Sequence, residues 1–401
     1  MQKKGQHWRF LTFFLPIVWI GIFLFIFENP QLITAKTTDL SSAVLNKIAS
    51  STVLVNIKPK EAPAPVVRQK PPQQIVKGLY LTASSANNSK KLDEIVSLLD
   101  KTELNALVID IKDYTGYVLY DSQVPQVVNL KNKRVVLEDI PALIAKLHAH
   151  NIYVIARQTV FQDPILAQEK SEWAIKNKQG GVWHDRKGLS WVDGTNQEVW
   201  QYNVDIAKEA IDLGFDEVNF DYVRFPTDGN ISQAVMPAWD DRNLAMSKFY
   251  HYLSDKLKDE PAYISLDFFG LVMEDHSGMG IGQKISNASN VVDYISPMMY
   301  PSHYAKGHLG LTNPASDPAK VINYGMKLGA PLFEDTHAKV RPWLQAFNLG
   351  AVYGAANIRA QIDEVEKYPN AGWLLWNAAN RYTTAGLKSS VSSNVDKSLD
   401  N

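Results

Sequence analysis

Between residues 76 and 383 the chain alternates strand-like and helix-like segments with a regularity that few folds accept. Short apolar runs occur at Gly78–Thr82, Ala106–Asp113, Ile152–Arg157 and Asp216–Asp221. Four more follow at Tyr263–Gly270, Tyr294–Pro301, Val340–Phe347 and Gly372–Asn377. The stretches between them carry apolar residues at helical spacing, such as Leu92, Ile95, Val96 and Leu99, or Ile140, Leu143, Ile144 and Leu147. Thr195-x-x-Glu198 has the form of a capping box and predicts the start of the third helix. A short helix is expected near Ile281, and longer ones over 246–257, 318–328 and 358–368. Such alternation gives a parallel sheet covered by helices. Eight units in this length predict an α/β chain closed as a (β/α)8 TIM barrel. The alternative is an open, doubly wound sheet, but the first strand–helix junction lacks the glycine-rich phosphate loop of that class.

The flanks read differently. Lys3, Lys4 and Arg9 precede an uncharged apolar run from Leu11 to Phe27, close to the roughly 20 residues that span a bilayer. Positive charge before the run and Glu28 after it favour the amino terminus inside and the remainder outside. Residues 1–29 are therefore expected to be a membrane anchor, or a signal peptide if cleaved, with the rest of the protein extracytoplasmic. Residues 30–75 contain Pro59, Pro63, Pro65, Pro71 and Pro72 and read as a semi-extended stalk. Residues 76–383 form the barrel domain, and 384–401 a polar tail.

Composition excludes several chemistries. The chain has no cysteine, so disulfides, thiolate metal sites and a cysteine nucleophile are absent. Its 41 basic and 42 acidic residues leave a net charge of -1 with no basic run, which argues against nucleic acid as a partner. No Gly-x-Ser-x-Gly elbow occurs. His184, Asp185 and Asp193 share a loop but match no metal-ligand spacing, and no cofactor is expected.

The barrel reading gives certain residues a direction. Along the fourth strand Val218 and Phe220 face the helices, whereas Asn219 and Asp221 face the interior. Inward-facing groups near the carboxyl ends of the strands are Asp110, Lys112, Arg157, Asp221, Ser265, Asp267, Met298, Tyr300, Gln345 and Trp376, with Asn377 beside the last. Barrel enzymes keep their reacting groups at that end. Asp216 and Glu217 begin the fourth strand and belong to the opposite, structural end.

Several carboxylates, one arginine and exposed aromatics fit a sugar cleft, where hydrolysis needs two carboxyl groups. Asp221 is the candidate nucleophile or base. Asp267 is the candidate acid, with Glu274 on the following loop as the other donor. Asp110, Arg157, Arg224, Tyr300, Gln345, Trp376 and Asn377 are candidate substrate-binding residues. Arg224 is either a substrate clamp or the partner that orients Asp221. Eight of the ten tryptophans lie beyond the apolar run; Trp183, Trp191, Trp239, Trp343 and Trp376 fall in loops or near strand ends, where flat rings can stack on sugars.

Phe220-Asp221-Tyr222-Val223-Arg224-Phe225-Pro226, Ser296-Pro297-Met298-Met299-Tyr300-Pro301 and Gly372-Trp373-Leu374-Leu375-Trp376-Asn377 resemble the bacterial putative glycoside hydrolase family with a TIM-barrel domain. The resemblance covers about residues 76 to 383 and implies a glycosidase-like barrel. Asp216-x-x-Asn219-x-Asp221 and Met298-x-Tyr300 are more distantly similar to chitinase-type barrels, but Val223 stands where those enzymes carry their acid. The similarity to amylase-type and α-galactosidase-type barrels, with an aspartate nucleophile on the fourth strand, fits Asp221 better. The expectation is a glycoside hydrolase acting on an envelope or extracellular polysaccharide; the alternative is a barrel that binds glycan without cutting it.

Overall fold

A computed structural model describes residues 68–235 and 241–390. The expected anchor (1–29), most of the stalk, Trp239 and residues 391–401 lie outside the described residues. Among the described residues, no helix is long and apolar enough to cross a membrane.

Eight parallel strands close into a barrel. They are β1 (Val76–Leu81), β2 (Ala106–Lys112), β3 (Tyr153–Thr159), β4 (Glu217–Asp221), β5 (Tyr263–Phe269), β6 (Tyr294–Met299), β7 (Trp343–Gln345) and β8 (Gly372–Trp376). Each pairs in parallel with the next, and β1 pairs with both β2 and β8, which removes both sheet edges. The principal helices are α1 (Ser89–Lys101), α2 (Ile140–Ala149), α3 (Gln197–Asp212), α4 (Arg242–Leu257), α5 (Pro318–Gly329) and α6 (Ala355–Glu366). No α-helix separates β5 from β6; single 3-10 turns at Gly270–Met273 and Ile285–Asn287 replace the helix expected near Ile281.

Two apolar layers result. Leu107, Ile109, Val154, Val218, Phe220 and Leu266 pack outward against the helices. Val76, Tyr80, Val108, Tyr153, Ile155, Tyr263, Tyr294 and Trp343 fill the interior. Gly78 is inside too, where a Cβ would meet Leu374 Cδ2 at 2.7 Å. The two-residue side-chain period of a strand produces this division.

Three local expectations need correction. The third helix is capped by Asn196, whose Oδ1 accepts from Glu198 N; Thr195 instead bonds to Asp193. The expected strand 340–347 is interrupted at Arg341-Pro342, because Pro342 has no N–H to give to the ladder. Lys112 does not face the interior. A register irregularity in the β2–β3 pairing between Asp110 and Lys112 sends Lys112 into the helix layer. There Lys112 Nζ is fully buried, 2.8 Å from Asp163 Oδ2, and donates to Thr159 O.

The amino end of the barrel is closed by charge pairs and by the end of the stalk. Arg68 binds Asp216, and Tyr263 Oη donates to Pro71 O. Glu217 forms a fully buried ion pair with Arg341 and accepts from Ser265 and Tyr153. Residues 384–390, expected to begin the polar tail, are tied to the barrel: Glu103 N donates to Lys388 O, and Lys388 N to Glu103 Oε1.

Candidate active site

At the carboxyl ends of the strands a cleft of about 640 Å³ opens. Arg157, Asp221, Asp267, Tyr300 and Trp376 line it, together with Tyr222, Arg224, Phe269 and Trp343. A second cavity of equal volume adjoins it, with Trp376 and His303 lining both.

Arg157 organises the floor. From β3 its Nη1 donates to Asp110 Oδ1 on β2 at 2.6 Å, and its Nη2 donates to Asp221 Oδ2 on β4. Its Nε lies 3.8 Å from Asp267 Oδ2 on β5. Burial works against the charge of Arg157, yet Asp221 and Asp110 hold its pKa well above the ordinary value. The guanidinium also sits over Trp376 at 5.0 Å, and Trp376 stacks on Tyr80 with centroids 3.8 Å apart.

Three carboxyl groups therefore face one fixed positive charge in a buried site. The two that bond Arg157 directly are well held. Asp110 also accepts from Tyr80 Oη at 2.5 Å, and Asp221 Oδ1 accepts from Tyr222 N at 2.6 Å. Asp267 is left the least compensated. Its Oδ1 accepts from Asn219 Nδ2 at 2.9 Å and Trp343 Nε1 at 2.8 Å, while Oδ2 has no donor within hydrogen-bond distance. Burial, and then repulsion by Asp221, push its pKa up to about 8. The shift favours the protonated form of Asp267, and Oδ2 is the oxygen free to carry the proton. Burial also raises the pKa of Asp110, against the pull of Arg157 and Tyr80.

The residue after Asp221 adopts a left-handed conformation. Tyr222 has φ of +55°, unusual for a bulky side chain. That turn ends β4, points the Tyr222 amide at Asp221 and brings its ring against Arg224.

The other candidates divide. Tyr300 is buried against His303 and Phe347 and presents to the cleft. Gln345 is fully buried and away from the cleft; its side chain accepts from Ser302 N and donates to Phe347 O. Asn377 ties loops together through Ala346 O and Arg381 O, and borders the second cavity. Glu274 does not line the cleft. It lies 3.4 Å from His308 Nε2, whose ring packs on Tyr304, and burial pushes its pKa up to about 7. Of the tryptophans, Trp343 and Trp376 reach the cleft. Trp183 and Trp191 are buried in the loop before α3.

Tyr80 carries no motif; only the alternation Val76, Gly78, Tyr80 along β1 places it inward. Phe269 follows the same inward alternation as Ser265 and Asp267, whereas Lys187 reaches the cleft from a loop without any signal in the chain. His184, Asp185 and Asp193 do not converge. Asp185 accepts from Lys187 N, Leu189 N and Trp191 Nε1, and Asp193 from Thr195. Among the described residues no group of three or more His, Asp or Glu side chains could hold a metal ion.

The profile of a protein family described as a putative glycosyl hydrolase domain matches residues 78–382. No curated protein matches the chain. A hypothetical protein from Ruminiclostridium thermocellum of known structure is 33% identical over 51% of this chain and 98% of its own, with a TM-score of 0.45. The glycoside hydrolase domain of PgaB (BpsB) from Bordetella bronchiseptica shares the fold at 10% identity, over 76% of this chain and 95% of its own, with a TM-score of 0.57. The family profile runs from within β1 through β8 and takes in the cleft floor, and the chain belongs to this putative glycosyl hydrolase family.

Proposed function

We propose that the protein hydrolyses glycosidic bonds in an envelope or extracellular polysaccharide, with Asp221 as nucleophile or base and Asp267 as acid. The observation that carries this is the pairing of an aspartate bound to Arg157 with a neighbouring aspartate whose pKa is pushed up to about 8. Both reach one guanidinium, which keeps them within the separation of up to about 9.5 Å that glycosidases use. Asp267 protonates the leaving oxygen, and Asp221 attacks the anomeric carbon or activates water. Arg157 stabilises the Asp221 carboxylate, and Tyr300 and Trp376 hold the sugar. The apolar run Leu11–Phe27, with its basic flank, supports an extracytoplasmic barrel held at a membrane. Purified full-length protein offered envelope and extracellular polysaccharides should release oligosaccharides, and Asp221→Asn should not.

The second reading, a barrel that binds glycan without cutting it, is favoured by one observation. Both oxygens of Asp221 are already engaged, by Arg157 and by Tyr222 N. Tight retention of a polysaccharide by the wild-type protein, with no product on prolonged incubation, would establish it.

A further inference from the structure

Arg157, Arg341 and Arg224 are the arginines that enter the barrel's polar interior and cleft, and they differ in one respect. Arg157 is paired with Asp110 and Asp221, and Arg341 with Glu217. Arg224 is nine-tenths buried and has no carboxylate within ion-pair distance among the described residues. Among the described residues its one hydrogen bond runs from Nη1 to Phe225 O at 3.0 Å. Its guanidinium is packed among the rings of Phe269 at 4.6 Å, Trp191 at 4.9 Å and Tyr222 at 5.3 Å. Burial consequently lowers its pKa, whereas the carboxylates beside Arg157 and Arg341 keep theirs raised.

The remaining N–H groups of Arg224 are not among the sealed, unpartnered polar atoms; they open to the cleft, where a bound acceptor can take them. The aromatic rings hold the guanidinium in place and leave its N–H edge as the polar part. Arg224 lines the cleft, beside Asp221 and Asp267, and Lys187 lines the same cleft. Lys187 is exposed and is carried on a turn that Asp185 pins through Lys187 N, Leu189 N and Trp191 Nε1. Asp221, the carboxylate most able to repel an anion here, is covered by Arg157. A fixed guanidinium fork recognises planar or tetrahedral oxyanions in bidentate fashion, and a nearby ammonium adds an unoriented charge.

We propose that Arg224, supported by Lys187, is an anion subsite, so that the sugar bound next to the reacting pair carries an oxyanion: the substrate is an acidic saccharide. The inference rests on the glycosidase reading for the place of that sugar, but the binding itself does not require turnover. The oxyanion is a uronic carboxylate, a sulfate ester or a phosphate ester, and the probe set separates them.

The test uses the full-length protein carrying Asp221→Asn, titrated with oligouronides, sulfated oligosaccharides, phosphorylated oligosaccharides and neutral gluco- and N-acetylgluco-oligosaccharides. One acidic class should bind at least tenfold more tightly than the neutral ones, with an affinity that falls as salt rises. Adding Arg224→Gln should abolish that preference, Arg224→Lys should restore part of it, and Lys187→Ala, an exposed site, should weaken it severalfold without touching the fold. Neutral oligosaccharides bound as well as acidic ones, or an acidic preference that survives Arg224→Gln in folded protein, overturns the subsite. So does the absence of binding by any acidic class. If wild-type protein binds an acidic class through Arg224 yet releases no product, the subsite stands and the hydrolase reading falls. If it cleaves only neutral glycans, the hydrolase reading stands and the subsite falls.

Discussion

Asp221 and Asp267, on neighbouring strands, share the guanidinium of Arg157, but only Asp221 bonds to it; Asp267 Oδ2 stays 3.8 Å from Nε. That asymmetry sets two chemically equal side chains apart: Asp221 is ion-paired, whereas burial and the neighbouring Asp221 raise the pKa of Asp267. On the hydrolase reading proposed above, this is the division of labour that cleavage of a glycosidic bond requires.

If Asp221 acts in the transition state as proposed, Asp221→Asn is expected to lower turnover by a factor on the order of 10³ or more. Arg157 keeps Asp110 as its partner in that variant, so the thermal midpoint should move little. Reducing-end release and a thermal unfolding curve on the same sample check both halves. Near-normal release removes Asp221 from the mechanism.

On the hydrolase reading, Asp267 sets the alkaline limb of the rate profile. It must be protonated to act, so activity should fall as pH rises through about 8. In Asp267→Asn the residual rate should lose that limb. Stability follows the same proton. The unfolded carboxyl ionises near pH 4, whereas the folded one keeps its proton to about 8, so Asp267 weakens the fold progressively as pH rises between the two. Asp267→Asn should therefore unfold with less pH dependence than wild type over that interval, measured by urea titration at several pH values.

Glu274 also has a raised pKa, to about 7, but it sits with His308 outside the cleft lining. Glu274→Gln should keep turnover within a few-fold and leave the limb near pH 8 in place. A loss of a hundredfold or more would instead make Glu274 the proton donor.

Glu217 lies on the same strand as Asp221 and also faces inward, yet it is fully buried on Arg341. Glu217→Ala leaves that arginine uncompensated and should cost about 3–5 kcal/mol of stability. Denaturant unfolding reads this directly. Because the pair lies at the amino end of the barrel, activity per folded molecule should change far less than in Asp221→Asn.

Much of this arrangement was legible in the chain. Alternation along each strand places Asp110, Arg157, Asp221, Asp267, Tyr300 and Trp376 inside, since a strand's side chains have no freedom but to alternate. Lys112 escaped that rule because a bulge shifts the phase by one residue, and nothing local in Ala106–Lys112 announces it. Gln345 and Asn377 point to the right end of the barrel, but backbone groups of the loops there take up their amides.

The order and spacing of residues alone determined the eight-stranded barrel and the end at which its polar groups gather. Periodicity is a local property, and burial of one face follows from it. What only the tertiary structure decided is which aspartate has its pKa raised, which arginine has no carboxylate partner among the described residues, and that Glu274 stands outside the cleft. Those depend on distances between side chains from different strands in a buried site, where one missing or added hydrogen bond shifts the balance of charge.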